Sequence, residues 1–507
     1  MKKLIAISAV AAMVTSGFAS EADLQKQIDT LTKKLDRQAK VLKKTKIQSA
    51  GDNIKFNIDF RTAVDRLTYE TVSGAKFKNQ GLISNRLWLG MGYKLNENMV
   101  FKGQLSYNKA YGATSFGANG MPQRGFGFDT FDWVVNENLT DGSIKLREAY
   151  WLYRTDSLFD SDISFTASAG RRPSTNGFLV NLRDDDMAKS PLGHVINVEF
   201  DGASMKFGLN QLTGIDGMSL KFCFGRGLTN AGQRFNPDGS GIDYIKQKGL
   251  DTVDLAGFIF VPYDDGQYTI TSTYYRGFNV PGYAAGTMNW TGANPANPMD
   301  SRNWVPDMNS MTMQTMGDMD GAAVSVLVDG IGDGISDFLD DTLVFGSFAW
   351  SKTRPSTVNR NFVGGPMGDA VMPTSTMLGS DASETGTSYW IGAQFPALFT
   401  EEGRIGIEYN HGSDYWRAFT YAEDTMIGSK LAVRGDAYEL YYTQPLMGKA
   451  FSMQLRYTYF DYAQTGSNGF FGDGGMSMDV DNPMLAAMGV DPVDTASDLR
   501  LYFRYRY

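Results

Sequence analysis

The chain has 507 residues and a formal charge of −9, with 56 Gly, 25 Tyr, 32 Phe, 8 Trp, one Cys and two His. That acidity excludes a nucleic-acid partner, because phosphate binding needs a basic surface. A single cysteine, Cys223, excludes an internal disulfide.

Lys2 and Lys3 precede an apolar run from Leu4 to Val14, and small residues end at Ala19. This is a secretory signal peptide, residues 1–19, cleaved after Ala19. Its run is too short to cross a bilayer as a helix, and no later segment offers eighteen consecutive apolar residues. An exported chain without a helical span is a soluble periplasmic protein, a secreted one or an outer-membrane barrel.

Residues 20–48 form a distinct segment. Between 21 and 46 there is no Gly, Pro or aromatic residue, and Leu24, Ile28, Leu31, Leu35, Gln38 and Leu42 follow coiled-coil spacing. The spacing predicts a helical stem about 39 Å long. Its seam needs partner helices, since an isolated helix of that length is marginal in water. Leu24, Ile28, Leu31, Leu35 and Leu42 are therefore the oligomerisation residues, with a trimer favoured and a dimer open. A solvated spacer is the plainer alternative.

From residue 49 to 507 the sequence predicts an all-β fold, a transmembrane antiparallel barrel of about 16 strands. Alternating runs of about ten residues lie at 54–65, 83–95, 99–108, 144–153, 163–172, 194–201, 218–226, 251–260 and 267–277. Others lie at 342–352, 387–396, 403–411, 431–444, 450–462 and 498–507. These make fifteen, whereas single-chain bacterial barrels carry an even number. Long connections (66–82, 109–143, 173–193, 227–250) alternate with short ones, and the two classes change sides after residue 342 unless one more strand exists. Val324, Val326 and Val328, β-branched and alternating, supply it. Eighteen strands is the nearest alternative. A helix through Val324, Val328, Ile331, Ile335 and Phe338 is the competing reading of that segment.

Apolar sets such as Phe56, Ile58 and Phe60, or Phe451, Met453, Leu455, Tyr457 and Tyr459, then face lipid. Their neighbours line the lumen. The candidate pore-lining residues are Lys55, Arg61, Arg86, Lys102, Arg147, Arg172, Arg226, Arg404, Glu408, Arg456, Arg500 and Arg504, a basic-leaning set that suggests mild anion preference. Pairing with opposed acids would cancel it. Glu148 shares phase with Leu146, Tyr150 and Leu152, so it lies at the headgroups or marks a bulge.

Arg171, Arg172, Arg183, Asp184, Asp185 and Asp186 form a candidate constriction if their loop folds inward. Loop 109–143, with Arg124, Asp129 and Asp132, competes for that role. The aspartates from Asp329 to Asp341 lack the calcium-loop pattern, and the Met-rich loops lack Cys or His, so no metal or cofactor is expected. His194 and His411 have no catalytic neighbours in sequence beyond Asp414 beside His411, which argues against an enzyme.

The signal Met1 to Ala19, the heptads from Leu24 to Leu42 and the aromatic-ended Leu499 to Tyr507 together resemble the Gram-negative porins, and within them the porin-like outer-membrane proteins that carry a short coiled-coil stem. The resemblance implies a cell outer-membrane barrel in the lipid bilayer, often trimeric, inserted by the barrel-assembly machinery and passing small hydrophilic solutes or ions. Many such barrels end in Phe, whereas this one ends in Tyr507. No residue ladder matches a phosphate- or sugar-selective porin. A structural or adhesive barrel whose lumen is closed by loops is the alternative.

Deleting residues 21–46 is predicted to weaken the oligomer while the barrel still folds. Native electrophoresis beside heat-modifiable migration checks this, and an unchanged oligomer counts against the stem.

Overall fold

A computed structural model describes Thr32 and residues 54–113, 144–173, 177–231, 251–283, 288–290, 304–306, 313–356, 360–363, 370–373, 376–420, 425–467, 476–487 and 489–507. The signal peptide, the stem seam (Leu24, Ile28, Leu31, Leu35, Leu42) and residues Arg124, Asp129 and Asp132 lie outside them. The chain divides into residues 1–55 with 93–97, and residues 56–92 with 98–507. In the first unit Thr32 is helical and exposed, and Ile54 and Lys55 are exposed.

Sixteen antiparallel strands close into one barrel. They are β1 (Lys55–Thr71), β2 (Lys76–Lys94), β3 (Met99–Ala110), β4 (Lys145–Thr155), β5 (Ser164–Pro173), β6 (Glu199–Gly208), β7 (Ser219–Leu228) and β8 (Val253–Asp264). Then follow β9 (Tyr268–Tyr283), β10 (Met313–Asp329), β11 (Leu343–Pro355), β12 (Thr385–Pro396), β13 (Arg404–Gly412), β14 (Gly435–Met447), β15 (Phe451–Tyr462) and β16 (Val493–Arg506). The ring closes where β1 pairs with β16, from Asp59 opposite Arg506 to Asp65 opposite Arg500 and onward. Ile58 and Tyr507 exchange both backbone hydrogen bonds there, at 2.8 and 2.9 Å. Closure leaves no open sheet edge, which hydrocarbon would not tolerate.

The sixteenth strand lies where parity requires it. In β10, Val324 and Val326 are exposed on the outer face, while Ala323, Ser325 and Leu327 are buried inside. Only Asp337–Asp340 of the competing helix is helical, a single turn capped by Ser336. The same alternation runs round the wall: Phe348, Ile391, Ile407, Leu440, Leu455, Leu501, Phe503 and Tyr505 make an exposed apolar belt.

Three local expectations are corrected. Residues 66–82 form no long loop, because β1 and β2 run on as a tall hairpin closed by the turn Val72–Ala75. Of the run 194–201 only residues 199–201 belong to the wall, as the start of β6, and His194 to Val198 lie in the barrel interior. Residues 431–434 likewise precede β14, which removes the conflict between Val433, buried, and Tyr438, outward. Of the two readings of Glu148 the bulge is the one found: the register between β3 and β4 shifts there and turns the carboxylate inward, while Leu146 and Trp151 face out.

An Arg placed on the apolar belt loses its solvation, whereas one facing the lumen can be paired. Val326→Arg is therefore predicted to destabilise the barrel by about 2–4 kcal/mol, read as a lowered urea midpoint of the folded, heat-modifiable form. A midpoint equal to wild type would refute the outward assignment.

Candidate functional site: a plugged lumen

Among the described residues, two connections at the long-loop end turn back into the barrel. The first joins β5 to β6 through residues 177–198. Leu179 and Asp185, both at positive φ, stand at either end of a short turn of 3-10 helix, Val180–Asp184, which reverses the chain inside the lumen. The second joins β13 to β14, where Trp416, Ala418, Phe419, Leu431, Ala432 and Val433 are all buried. The two meet where the Phe419 amide donates to the Val195 carbonyl at 2.9 Å, and Trp416 Nε1 ties its own loop by donating to Leu431 O at 2.7 Å.

One half of the lumen is an apolar core. Leu192, Val195, Ile196, Val198, Trp416 and Phe419 pack on the inward side chains Phe200, Leu255, Tyr275, Met319, Ala323 and Ala349 of β6 and β8–β11. A second apolar group joins Leu179, Val180 and Leu431 to Leu327, Leu343, Phe345 and Trp390. His194 sits between Trp390 and Trp416, with its Nδ1 2.8 Å from Ser347 Oγ and its Nε2 2.9 Å from Ser388 Oγ. Because the Ser388 hydroxyl donates to Asn410 Oδ1, it accepts from His194 Nε2–H, and Nδ1 accepts from Ser347. Burial pushes the imidazole down to about 3, so it is neutral. A serine beside a histidine invites a nucleophilic reading, but His194 has no accessible surface and no carboxylate partner in this group. It pins the loop to β11 and β12. His411 lies on the outer face instead, where Nδ1 meets Asp436 at 2.9 Å, rather than Asp414.

The other half is ionic. Glu439 of β14 is the hub: it accepts from Arg183 of the first loop at 3.0 Å, from Lys430 of the second at 2.6 Å, and lies 3.8 Å from Arg456 of β15. Lys430 also donates to Glu408 of β13 at 2.5 Å. Next along the wall, Tyr502 donates to Asp184 at 2.6 Å, and Arg504 joins Asp186 at 2.7 Å to Asp59. Arg500 pairs with Asp65, both fully buried. Lys189 meets Glu148 of β4, and Arg147 meets Glu199 at 3.0 Å. Arg86 and Arg147 lie over Trp88, at 3.6 and 4.2 Å from its ring centre. Such attachments persist in a low-dielectric interior only because each charge faces an opposite one or a ring face.

Of the candidate lining residues, Arg61, Arg86, Arg147, Glu408, Arg456, Arg500 and Arg504 are buried inside, and Arg172 contacts Ser168 and Ser204 there. Lys102 and Arg404 share the inward phase at the short-turn end but are exposed, as is Lys55 at the head of β1. Arg226 is a correction. It shares phase with the exposed Phe222 and Phe224, and pairs with Asp254 at 2.7 Å on the outer face, since Lys221 and Cys223 occupy the inner one. Among the candidate constriction residues, Arg183, Asp184 and Asp186 reach the far wall, and Asp185 lies 3.6 Å from Arg506. Arg171 stays by the first wall on Glu199 and Asp201, apart from that group. Sequence reasoning missed Asp65, Lys189, Lys430 and Glu439. Inward phase marks Asp65 and Glu439, whereas the two lysines lie in loops and carry no such signal.

A family model described as "Protein of unknown function (DUF3373)" matches residues 76–507. The chain belongs to this family. No curated protein matches this DUF3373 member. Among solved structures it is similar to a loop-deletion mutant of OmpT, an outer membrane protein of Vibrio cholerae, at 11% identity over 90% of this chain and 99% of that one, TM-score 0.42. It is also similar to OmpF of Salmonella typhi in complex with daunomycin, at 12% identity over 90% and 99%, TM-score 0.43. Pseudomonas putida OprB aligns at 11% identity over 91% and 96%, TM-score 0.44. The chain's own closed antiparallel barrel with an apolar exterior makes it an outer-membrane protein of a Gram-negative bacterium.

Glu439→Gln leaves Arg183, Lys430 and Arg456 around an uncharged amide, and is predicted to destabilise the docked loops by about 3–5 kcal/mol. Hydrogen exchange at Arg183 and Leu431 reads this, and unchanged protection would remove Glu439 from its central place. A pH effect follows from His194. Its folded pKa lies below the unfolded value, so its contribution to docking is full above the unfolded pKa and declines as pH falls from about 6.5 toward 3. Exchange protection of residues 192–198, corrected for intrinsic rate, should fall with acid more steeply in wild type than in His194→Gln. Equal slopes would exclude this linkage.

Proposed function

We propose that this barrel is a porin-type passive pathway for small hydrophilic solutes or ions, closed in its resting conformation by the loops that carry Arg183 and Lys430. The carrying observation is the division of the lumen into an apolar half and a charged half. Ions cannot follow the apolar core of β8–β12. The charged half, running from β13 through β16 and β1 to β4, offers groups that can exchange a protein partner for water or a passing ion. At its short-turn end lies a cavity of about 600 Å³ lined by Asn57, Asp59, Gln104, Asp186, Lys189 and Arg504. Movement of the loop carrying Arg183 to Lys189 would extend that cavity along the charged wall.

The balance of charge supports little ion selectivity rather than mild anion preference. Asp65, Glu148, Glu199, Asp184, Asp186 and Glu439 each lie against an interior arginine or lysine. Assembly as a homo-oligomer, with a trimer favoured through the stem, and insertion by the barrel-assembly machinery through the aromatic C-terminus belong to the same reading.

A sealed structural or adhesive barrel is the second reading. It is favoured by the complete burial of inward side chains on opposite walls, including Asp65, Arg147, Met319, Ala349 and Arg500.

Planar-bilayer recording separates the two. The full barrel should show rare, brief openings with a reversal potential near zero in a salt gradient, and a variant lacking residues 179–192 should conduct steadily. A folded, heat-modifiable deletion variant that stays silent would overturn the pore reading in favour of the sealed one.

A further inference from the structure

On the outer face of six consecutive strands the apolar belt ends in charge. On β6 Met205 and Ala203 give way to Asp201, on β7 Phe222 and Phe224 to Arg226, and on β8 Phe258 and Ala256 to Asp254. On β9 Tyr274 is followed by Arg276, on β10 Val324 and Ala322 by Asp320 and Asp318, and on β11 Phe348 and Trp350 by Lys352 and Arg354. All these charges lie at the long-loop end, which in a bacterial barrel is the extracellular one.

Their signs alternate from strand to strand. Asp201 stands opposite Arg226, and Arg226 opposite Asp254. Arg276 stands opposite Asp320, Asp320 opposite Lys352, and Asp318 opposite Arg354. Arg226 meets Asp254 at 2.7 Å, Arg276 meets Asp318 at 2.8 Å and Arg354 meets Asp320 at 2.6 Å. The ladder still faces outward: the side chains of Asp201, Arg226 and Arg354 are 64%, 55% and 41% exposed. A guanidinium has five donors and a carboxylate about four acceptor sites, so each pair can also engage a third group.

The next four strands end their belt differently. Tyr389, Tyr409, Tyr438 and Tyr459 of β12–β15 stand ring beside ring, with centres 5.8, 5.1 and 6.3 Å apart. Tyrosine is the ordinary residue of a barrel's aromatic girdle. An ionic ladder in its place adds little to stability, because exposed ion pairs are weak. It does present donors and acceptors in alternation, directly above an apolar wall.

We propose that this ladder docks a phosphorylated glycolipid of the outer leaflet. The phosphates lie on Arg226, Arg276 and Arg354, whose planar donor forks suit them, and sugar hydroxyls donate to Asp201, Asp254 and Asp318. The acyl chains run down over Phe222, Phe224, Val324 and Phe348. An anionic lipid without a sugar would leave the aspartates facing like charge. A second copy of the chain is the competing occupant, since an alternating row is self-complementary. Two convex barrels touch along a narrow strip, however, whereas the ladder spans six of sixteen strands, an arc that a fluid leaflet can cover. The inference concerns the outer wall and stands whether or not the lumen conducts.

Native mass spectrometry of the refolded full-length protein in detergent, with bisphosphoryl lipid A as probe, tests it. Wild type and Tyr438→Phe, a variant of the tyrosine arc, should retain the lipid alike. The triple variant Arg226→Gln, Arg276→Gln, Arg354→Gln should bind it at least tenfold more weakly, each protein being verified as folded by heat-modifiable migration. Lipid A stripped of both phosphates, and phosphatidylglycerol, which carries a phosphate but no sugar, should each bind wild type at least tenfold more weakly than the probe. No lipid A on wild type, equal retention by the triple variant, or phosphatidylglycerol held as well as lipid A would overturn the proposal. An oligomer that the triple variant dissolves on native electrophoresis, with no lipid A held by wild type, would give the face to a second copy of the chain instead.

Discussion

Everything in this molecule depends on the closure of β1 onto β16. A bilayer offers no water to backbone amides, so a sheet within it must satisfy every ladder bond with another strand. Closure does this, and it fixes which way each side chain points. Once Asp65 stands opposite Arg500 in register, alternation carries inward and outward assignments round the wall. The outer face becomes apolar by necessity, and the inner one inherits the charges.

Those charges create the second constraint. A barrel of sixteen strands encloses more space than its own side chains fill, and water or protein must occupy the remainder. Here two returning loops supply protein, and they are amphipathic in cross-section rather than along a helix. The first presents Leu192, Val195 and Ile196 to one side and Arg183, Asp184, Asp186 and Lys189 to the other. Each side meets a wall of like character, because apolar inward residues cluster on β8–β12 and ionic ones on β13–β16 and β1–β4. Transfer of apolar surface from water holds the first side. Geometry and charge pairing hold the second, where the desolvation of each ion nearly cancels its attraction. The two attachments therefore differ in kind: the apolar one is non-directional and tolerant, whereas the ionic one is specific and easily exchanged with water.

How much of this is legible in the sequence depends on where period two is unique. Strand number and the position of Val324 to Val328 follow from alternation and loop parity, because membrane strands must repeat and must come in pairs. Arg226 and Asp254 are legible too: they share phase with Phe222, Phe224 and Phe258, so strict counting places them outside. The run His194 to Val198 is not legible. Its alternation suits a wall strand as well as an extended plug segment, since both bury apolar side chains against the same interior. Lys189 and Lys430 escape for a related reason. Loop residues have no wall phase, and nothing local distinguishes a lysine reaching Glu148 or Glu439 from one reaching solvent.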